Sequence, residues 1–454
     1  MTTYSQLVPA LERLSEISPE TSIPAYPDYL EIHPLTKSVQ AVVEIPGSKS
    51  ITNRALILAA LAEGSSRLYG ALDAEDTRVM LNALQQLGIQ AIWEAATVLS
   101  VVGAGGNIPT DKADLFLGNS GTSMRFLTAL CALGQGDYTL DGVERMRQRP
   151  QSDLLNTLNA LGASAVALNN DGCPPLRIAG NNGLNGGTVC MNAAASSQFV
   201  TALLMVAPYA DQDVTIEIIG NLRPLYVEIT RQMMAQWGVK SVQEDSRRFV
   251  VPAGQRYAAQ LDYQIEPDAS SASYFFAIAA LTGGSVTVRG LNTSALQGDV
   301  RFATEVLVAM GCKAEDTPDG LRVTGLPNGK LHGIDSDMSA ISDTSMTLSA
   351  LAPFADSPTT IRNIAHTRLQ ECDRIAAVCA ELNRMGVKVE ERADGYTIYP
   401  AAKIQPATIK TYNDHRIAMS FALMGLKSPG IIIENPGCVS KTFPAYWQAL
   451  DRLR

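Results

Sequence analysis

Tyr274–Gly325 reads YFFAIAALTGGSVTVRGLNTSALQGDVRFATEVLVAMGCKAEDTPDGLRVTG, and the order of patterns inside it decides the fold. YFFAIAALTGG (Tyr274–Gly284) is an apolar, alanine-rich run closed by two glycines, which predicts a helix buried on every side. SVTVRG (Ser285–Gly290) is β-branched and alternating, so it reads as a strand. VRFATEVLVAMG (Val300–Gly311) returns to helical spacing and stops at Gly311. CKAED and LRVTG then flank Pro318-Asp319-Gly320, which predicts a hairpin.

This unit is written repeatedly. A hydrophobic residue followed by glycine and a β-type segment recurs at Gly88, Gly162, Gly238, Gly311 and Gly386, a period of roughly 75 residues. Aligned on those glycines, the other copies are RALILAALAEG with VMLNALQQLG, FLTALCALGQG with LLNTLNALG, FVTALLMVA with YVEITRQMMAQWG, and LSALAPFA with IAAVCAELNRMG. A shortened last copy is IAMSFALMG with YWQALDRL. In the first, RALILAALAEG predicts a helix from Arg54 to Gly64, after a strand at Ala41–Ile45. Helices this rich in alanine pack on one another with sheets outside. The expected fold class is therefore α/β, a two-domain inside-out barrel of about six units. Three units per half place the first domain at 48–265 and the second at 266–454. Residues 1–47 are an extension and strand returning to the second domain, so the chain crosses twice and forms a two-stranded hinge. Leu7, Leu11, Leu14 and Ile17 fall at helical spacing and predict a short amphipathic helix in the extension.

With 454 residues, 46% of them hydrophobic and 18% charged, the chain is long enough for two or three cores. A net charge of −9 argues against nucleic-acid and membrane-surface partners, which need basic patches. No apolar run approaches a membrane span, and the expected location is the cytoplasm. The seven cysteines form no CxxC pair and the four histidines no HxxxH, so no metal site is expected.

Polar residues gather where each opening helix starts: PGSKSITNR (Pro46–Arg54), GNSGTSMR (Gly118–Arg125), NAAASSQ (Asn192–Gln198), EPDASSAS (Glu266–Ser273), ISDTSMT (Ile341–Thr347) and YNDHRIAM (Tyr412–Met419). Equivalent ends of equivalent units face one cleft, where helix N-termini add positive potential. The second helices add RMRQRP (Arg145–Pro150), RPLY (Arg223–Tyr226), RLQECDR (Arg368–Arg374) and SKTFP (Ser440–Pro444). Lys49, Arg54, Arg125, Arg149 and Arg223 from the first half thus meet Arg374, Arg416 and Lys441 from the second. That is more charge than one anion requires, which implies two polyanionic ligands. Two carboxylates suit proton transfer: Asp343, at a helix start, and Glu371, three residues before Arg374 and read as sharing its helix face. A helix cap for Asp343 and a structural pair with Arg374 for Glu371 are the competing readings.

The strings PGSKSITNRALILAALAEG, LGNSGTSMR, RMRQRP, SSQFVTALLM, DASSASYF, ECDR, NDHRIAM and KTFP together resemble the enolpyruvyl transferases, and within them the 5-enolpyruvylshikimate-3-phosphate synthase branch. The resemblance runs from about Ala41 to the C-terminus. It implies transfer of the enolpyruvyl group of phosphoenolpyruvate to the 5-hydroxyl of shikimate 3-phosphate with release of phosphate and without metal or organic cofactor; a monomer is expected. By similarity Ser50 and Arg54 hold the shikimate carboxylate, Ser196 and Ser197 its phosphate, and Gln198 touches both ligands. Lys49, Gly121, Arg149, Arg374, Arg416 and Lys441 hold phosphoenolpyruvate, in a pocket shaped by Asn119 and Thr122. Asp343 is expected as base toward the hydroxyl, Glu371 as acid and base toward carbon, and Lys49 as an aid to both. Arg223, His366 and Gln370 stand where the family commonly has Ser, Asn and Lys, and are expected with Asp343 and Lys49 in the acceptor site.

Two other functions fit parts of this pattern. The sister enzyme that acts on a UDP-N-acetylglucosamine resembles it, but carries a KN pair where this chain has Lys49-Ser50, and a cysteine acid in the region of RMRQRP. A non-catalytic anion-binding protein on the same scaffold would close on ligand without releasing phosphate.

Overall fold

The computed structural model describes residues 24–180, 183–220, 222–327 and 329–454. The helix expected around Leu7–Ile17 lies outside the described residues. The remainder is a mixed α/β chain in which six sheets, five of four strands and one of three, accompany paired helices.

The helices come as an opening and a second member per unit. They are α1 (Lys49–Leu61) and α2 (Glu75–Gln86), α3 (Gly121–Cys131) and α4 (Ser152–Ala160), and α5 (Gln198–Val206) and α6 (Pro224–Gln236). In the second half they are α7 (Ala269–Thr282), α8 (Ser345–Leu351) and α9 (Arg374–Arg384), and α10 (His415–Gly425) and α11 (Tyr446–Asp451). Opening helices are the buried ones: of the 13 residues of α1 only Ser50 is not buried, and every residue of α10 is. Second helices are amphipathic; in α2, Met80, Leu81, Ala83 and Leu84 turn inward while the opposite face is open. The alternation in the sequence thus becomes a buried helix and an amphipathic one.

Each four-stranded sheet follows one scheme. In the third unit Gly187–Asn192 runs parallel to Val214–Ile219, which pairs antiparallel with Arg248–Val251, itself the partner of Val242–Asp245. The predicted hairpin of the fourth unit forms between Lys313–Thr317 and Gly320–Thr324. All five marker glycines have φ between +74° and +102°, the left-handed backbone that lets a helix stop and turn into the next strand.

Two local expectations are corrected. The first helix starts at Lys49, five residues before Arg54, because the Ser48 hydroxyl accepts from the Ile51 amide and caps it there. It ends at Leu61, where Ala62 goes extended, and Gly64 falls inside the strand Glu63–Tyr69. In the fourth unit the second helix is a 3₁₀ turn (Gly298–Val300) followed by a π-type segment (Phe302–Leu307). The wider winding still buries Phe302, Ala303, Val306 and Leu307.

The apolar side chains form two clusters. One spans Ile51 to Ile265; the other gathers Ile32, Val39 and Val43 with Ala269 to Leu450. Strand pairing shows how the chain passes between them. Gln40–Val43 leads into α1 yet pairs with Ser285–Arg289 of the fourth unit, whereas Tyr263–Gln264 leads into α7 yet pairs with Glu63–Tyr69 of the first. Tyr29–Ile32 completes the short sixth sheet. The two passages are bonded to each other, Ser48 N to Glu266 O at 2.8 Å and Asp268 N to Pro46 O at 2.9 Å. Gly47 between them has no alternative, since a Cβ there would lie 1.8 Å from the Gly70 carbonyl oxygen.

Candidate active site

Opening helices begin with side chains that satisfy their own free amides: Ser120 accepts from Ser123 N, Asp268 from Ser271 N and Asp414 from Arg416 N. Asp268 also accepts from Lys49 N at 3.1 Å, tying the start of α7 to the start of α1 across the two halves. The basic side chains of these segments are thereby delivered to one place.

That place is an interlobe pocket of about 80 Å³. It is lined by Lys49, Ser50, Arg54, Thr122, Arg149, Ser196, Ser197, Gln198, Arg223, Asp343, His366 and Gln370, all expected from sequence. Arg125, Tyr226 and Ser342 line it as well. Of the other expected residues, Asn119, Gly121, Glu371, Arg374 and Arg416 sit against this lining, and Lys441 sits behind Asn119 and Glu371. Arg149 donates to the Asn119 carbonyl at 3.1 Å, and Lys441 Nζ reaches the same oxygen from the other half at 2.9 Å. Gly121 leaves room for these guanidinium groups, because a Cβ would lie 2.4 Å from an Arg149 nitrogen and 2.2 Å from one of Arg125 and would displace them.

Two carboxylates are held by a shared guanidinium. Arg374 donates to Asp343 at 3.2 Å and to Glu371 at 3.0 Å, and its Nε to Asp414 at 2.7 Å. Arg416 adds a 2.8 Å bond to Asp343, and Lys441 a 2.9 Å bond to Glu371. Asp343 is thus no helix cap: it lies in the 3₁₀ turn Ser339–Thr344, and its oxygens accept from arginines. Nor does Glu371 share a helix face with Arg374, because α9 starts at Arg374 with Asp373 as its cap and Glu371 stands in the preceding loop. Burial favours the neutral acid for both carboxyls. Arg416, Arg374 and Lys49 override it at Asp343, and Lys441, Arg374 and Arg149 at Glu371, so both sit below the usual carboxylate range.

Around this pair the field is strongly positive. Arg125 is buried, its Nε and one terminal nitrogen have no hydrogen-bond partner, and burial and neighbouring Arg149 press its pKa well below the ordinary value. An anion in the pocket would relieve that cost. Arg54 differs: it donates to Thr230 at 2.8 Å and to the Ser50 and Tyr226 carbonyls, so three of its five donors are already engaged. Gln370 accepts from Arg374 and shapes its position.

His366 hydrogen-bonds Ser342 at 2.8 Å, and burial together with Arg223 pushes its pKa down to about 3 from 6.5. It is neutral at physiological pH. Because the folded value lies below the unfolded one, the stability of neutral His366 is complete above pH 6.5 and is lost as pH falls toward 3. Urea titrations of His366→Asn are expected to show a shallower loss of unfolding free energy between about pH 6 and 4, by up to ~1.4 kcal/mol per pH unit.

Sequence reasoning left out four groups that matter here. Asp76 at the start of α2 sits 3.5 Å from Lys49 and 4.0 Å from Lys441, between cations of both halves. Asp414 both caps α10 and holds Arg374. Buried His415, whose ring nitrogens make no hydrogen bond although Nδ1 lies 3.7 Å from Asp414, stands among Lys49, Lys441 and Arg416. Arg145 donates to the Arg368 and Gln370 carbonyls at 3.1 and 3.0 Å, joining the halves. NDHR and RMRQRP contained three of these; nothing local marked Asp76. Among the described residues, no group of three or more His, Cys, Asp or Glu side chains is placed to hold a metal ion, and no helix is long and apolar enough to cross a membrane.

A family model for EPSP synthase (3-phosphoshikimate 1-carboxyvinyltransferase) matches residues 35–450. The 3-phosphoshikimate 1-carboxyvinyltransferase of Nostoc punctiforme is 50% identical over 422 residues, covering 92% of this chain and 98% of its own. That of Shewanella amazonensis is 48% identical over 430 residues, covering 94% and 99%. Among solved structures, EPSP synthase from Acinetobacter baumannii superposes with a TM-score of 0.78 at 25% identity, over 94% of this chain and 98% of that one. With the family's sequence along most of its length and a basic pocket between its halves, the chain belongs to the EPSP synthase (3-phosphoshikimate 1-carboxyvinyltransferase) family.

Proposed function

We infer that this chain transfers the enolpyruvyl group of phosphoenolpyruvate to the 5-hydroxyl of shikimate 3-phosphate and releases phosphate. The observation that carries the reading, beside family membership, is that cations of both halves meet around two carboxylates held by one guanidinium. In this reading residues 48–265 and 266–454 are two inside-out α/β barrels, and the strand before Gly47 returns to the second.

Ser196, Ser197, Gln198 and Arg223 would bind the acceptor's phosphate, and Ser50 and Arg54 its carboxylate. Lys49, Arg149, Arg374, Arg416 and Lys441 would bind phosphoenolpyruvate, with Asn119, Gly121 and Thr122 shaping its place. Asp343, ionised beside Arg416 and Arg374, suits removal of the 5-hydroxyl proton as that oxygen bonds to the phosphate-bearing carbon of phosphoenolpyruvate. Glu371 would protonate the terminal methylene and then take a proton back from the resulting methyl as the bond to phosphate breaks.

A depressed Glu371 is a poor acid until something offsets its cations. Phosphoenolpyruvate does that: its phosphate and carboxylate, seated on Lys441, Arg149 and Arg374, cancel the charges that hold Glu371 ionised and raise its pKa. The acid is then armed by the substrate it protonates. Holding both reactants in one closed pocket contributes several kcal/mol more. Phosphate release from phosphoenolpyruvate is expected to require shikimate 3-phosphate. Release driven instead by a UDP-N-acetylglucosamine acceptor, or none with either, would reject the reading.

A further inference from the structure

A cavity of about 640 Å³ adjoins the substrate pocket, and Arg223 and His366 line both. Its walls come from the two halves. Arg247, at the tip of the hairpin between Val242–Asp245 and Arg248–Val251, lines it opposite Ser339, Asn363 and Asp394 of the second half. Arg248 pairs with Glu217 and Glu244, whereas Arg247 has no carboxylate within ion-pair distance among the described residues. Arg223 is buried, and the bonds it makes are to the Ala193 and Ala194 carbonyls, with no carboxylate at ion-pair distance among the described residues. Asp394 is the one carboxylate in the lining, and it accepts from the Asn363 amide at 3.2 Å. The chamber therefore carries a net positive charge from its rim to its inner end.

That inner end meets the pocket at Arg223 and His366. Lys49, Thr122 and Arg149, which line the pocket and are assigned above to phosphoenolpyruvate, do not line the chamber. Near them Arg145 and Lys441 bond across the halves and close the gap. What the chamber reaches is the Arg223 end, beside Ser196 and Ser197.

We propose that this chamber is a vestibule for the phosphorylated acceptor, in which Arg247 captures the phosphate of shikimate 3-phosphate before Arg223 receives it. The proposal rests on the assignment of the acceptor to the Arg223 end. A lone exposed guanidinium facing a dianion speeds association at low salt and does little once ions screen it. No bond to the reacting centre passes through it.

The test compares wild type with Arg247→Gln, Arg247→Lys and Arg247→Glu in steady-state kinetics at low ionic strength and near 0.5 M salt. Arg247→Gln is expected to lower kcat/KM for shikimate 3-phosphate about three- to tenfold at low salt, with the gap closing at high salt. Arg247→Lys is expected to keep wild-type behaviour and Arg247→Glu to fall further, while kcat/KM for phosphoenolpyruvate at saturating acceptor stays within about twofold. An unchanged acceptor kcat/KM, an equal fall for both substrates, or a fall that salt does not remove would overturn the vestibule. Absence of wild-type turnover would overturn the underlying assignment and the vestibule with it.

Discussion

Replacing either carboxylate by its amide is expected to reduce kcat by about 10²–10⁴-fold, the range a positioned acid or base contributes. Asp343→Asn keeps the shape that meets Arg416 and Arg374 but cannot take the hydroxyl proton. Glu371→Gln keeps contact with Lys441 and Arg374 but cannot pass a proton to and from carbon. The two separate by their partial reactions. With Glu371→Gln, exchange of solvent deuterium into the methylene of phosphoenolpyruvate should vanish together with turnover. Both variants should still bind the two anions, because their cations remain and lose a competing negative charge. Asp343→Asn retaining more than about a tenth of wild-type kcat would remove it as the base.

Arg374→Ala is expected to cost stability as well as rate. Its guanidinium is buried beside Asp414, which is fully buried, and beside Glu371 and Asp343. Removing one member of such a cluster leaves carboxylates without compensation, at about 3–5 kcal/mol. Urea denaturation measures this directly. The loss should shrink as pH falls, since without Arg374 both Glu371 and Asp343 titrate at higher pH and their protonation relieves the unpaired charge. Arg374→Lys should recover part of the stability but less of the rate, because an ammonium cannot hold Asp343, Glu371 and Asp414 at three separate nitrogens. A variant as stable as wild type would show that the cluster relaxes into solvent.

Much of the fold could be read from periodicity because burial leaves a strong imprint. A helix such as α7, buried from Ala269 to Leu281, is small or apolar on every side, and α2, buried on one face, must be amphipathic. The recurring left-handed glycines could be read because few other residues take that backbone. Element ends were less legible, since a cap such as Ser48 or the extended turn at Ala62 rests on one hydrogen bond or one dihedral choice.

The sequence by itself determined the repeated unit, the order of helices and strands, and which segments carry lysine, arginine and carboxylate, since these depend on spacing and residue type within a few dozen positions. Tertiary structure alone decided how Asp76 comes to lie between Lys49 and Lys441, and how Arg374 gathers Asp343, Glu371 and Asp414. It also decided the exchange of strands between the first and fourth units. Those outcomes join residues up to hundreds of positions apart, and a charge's partner is chosen by distance in space, which no local pattern encodes.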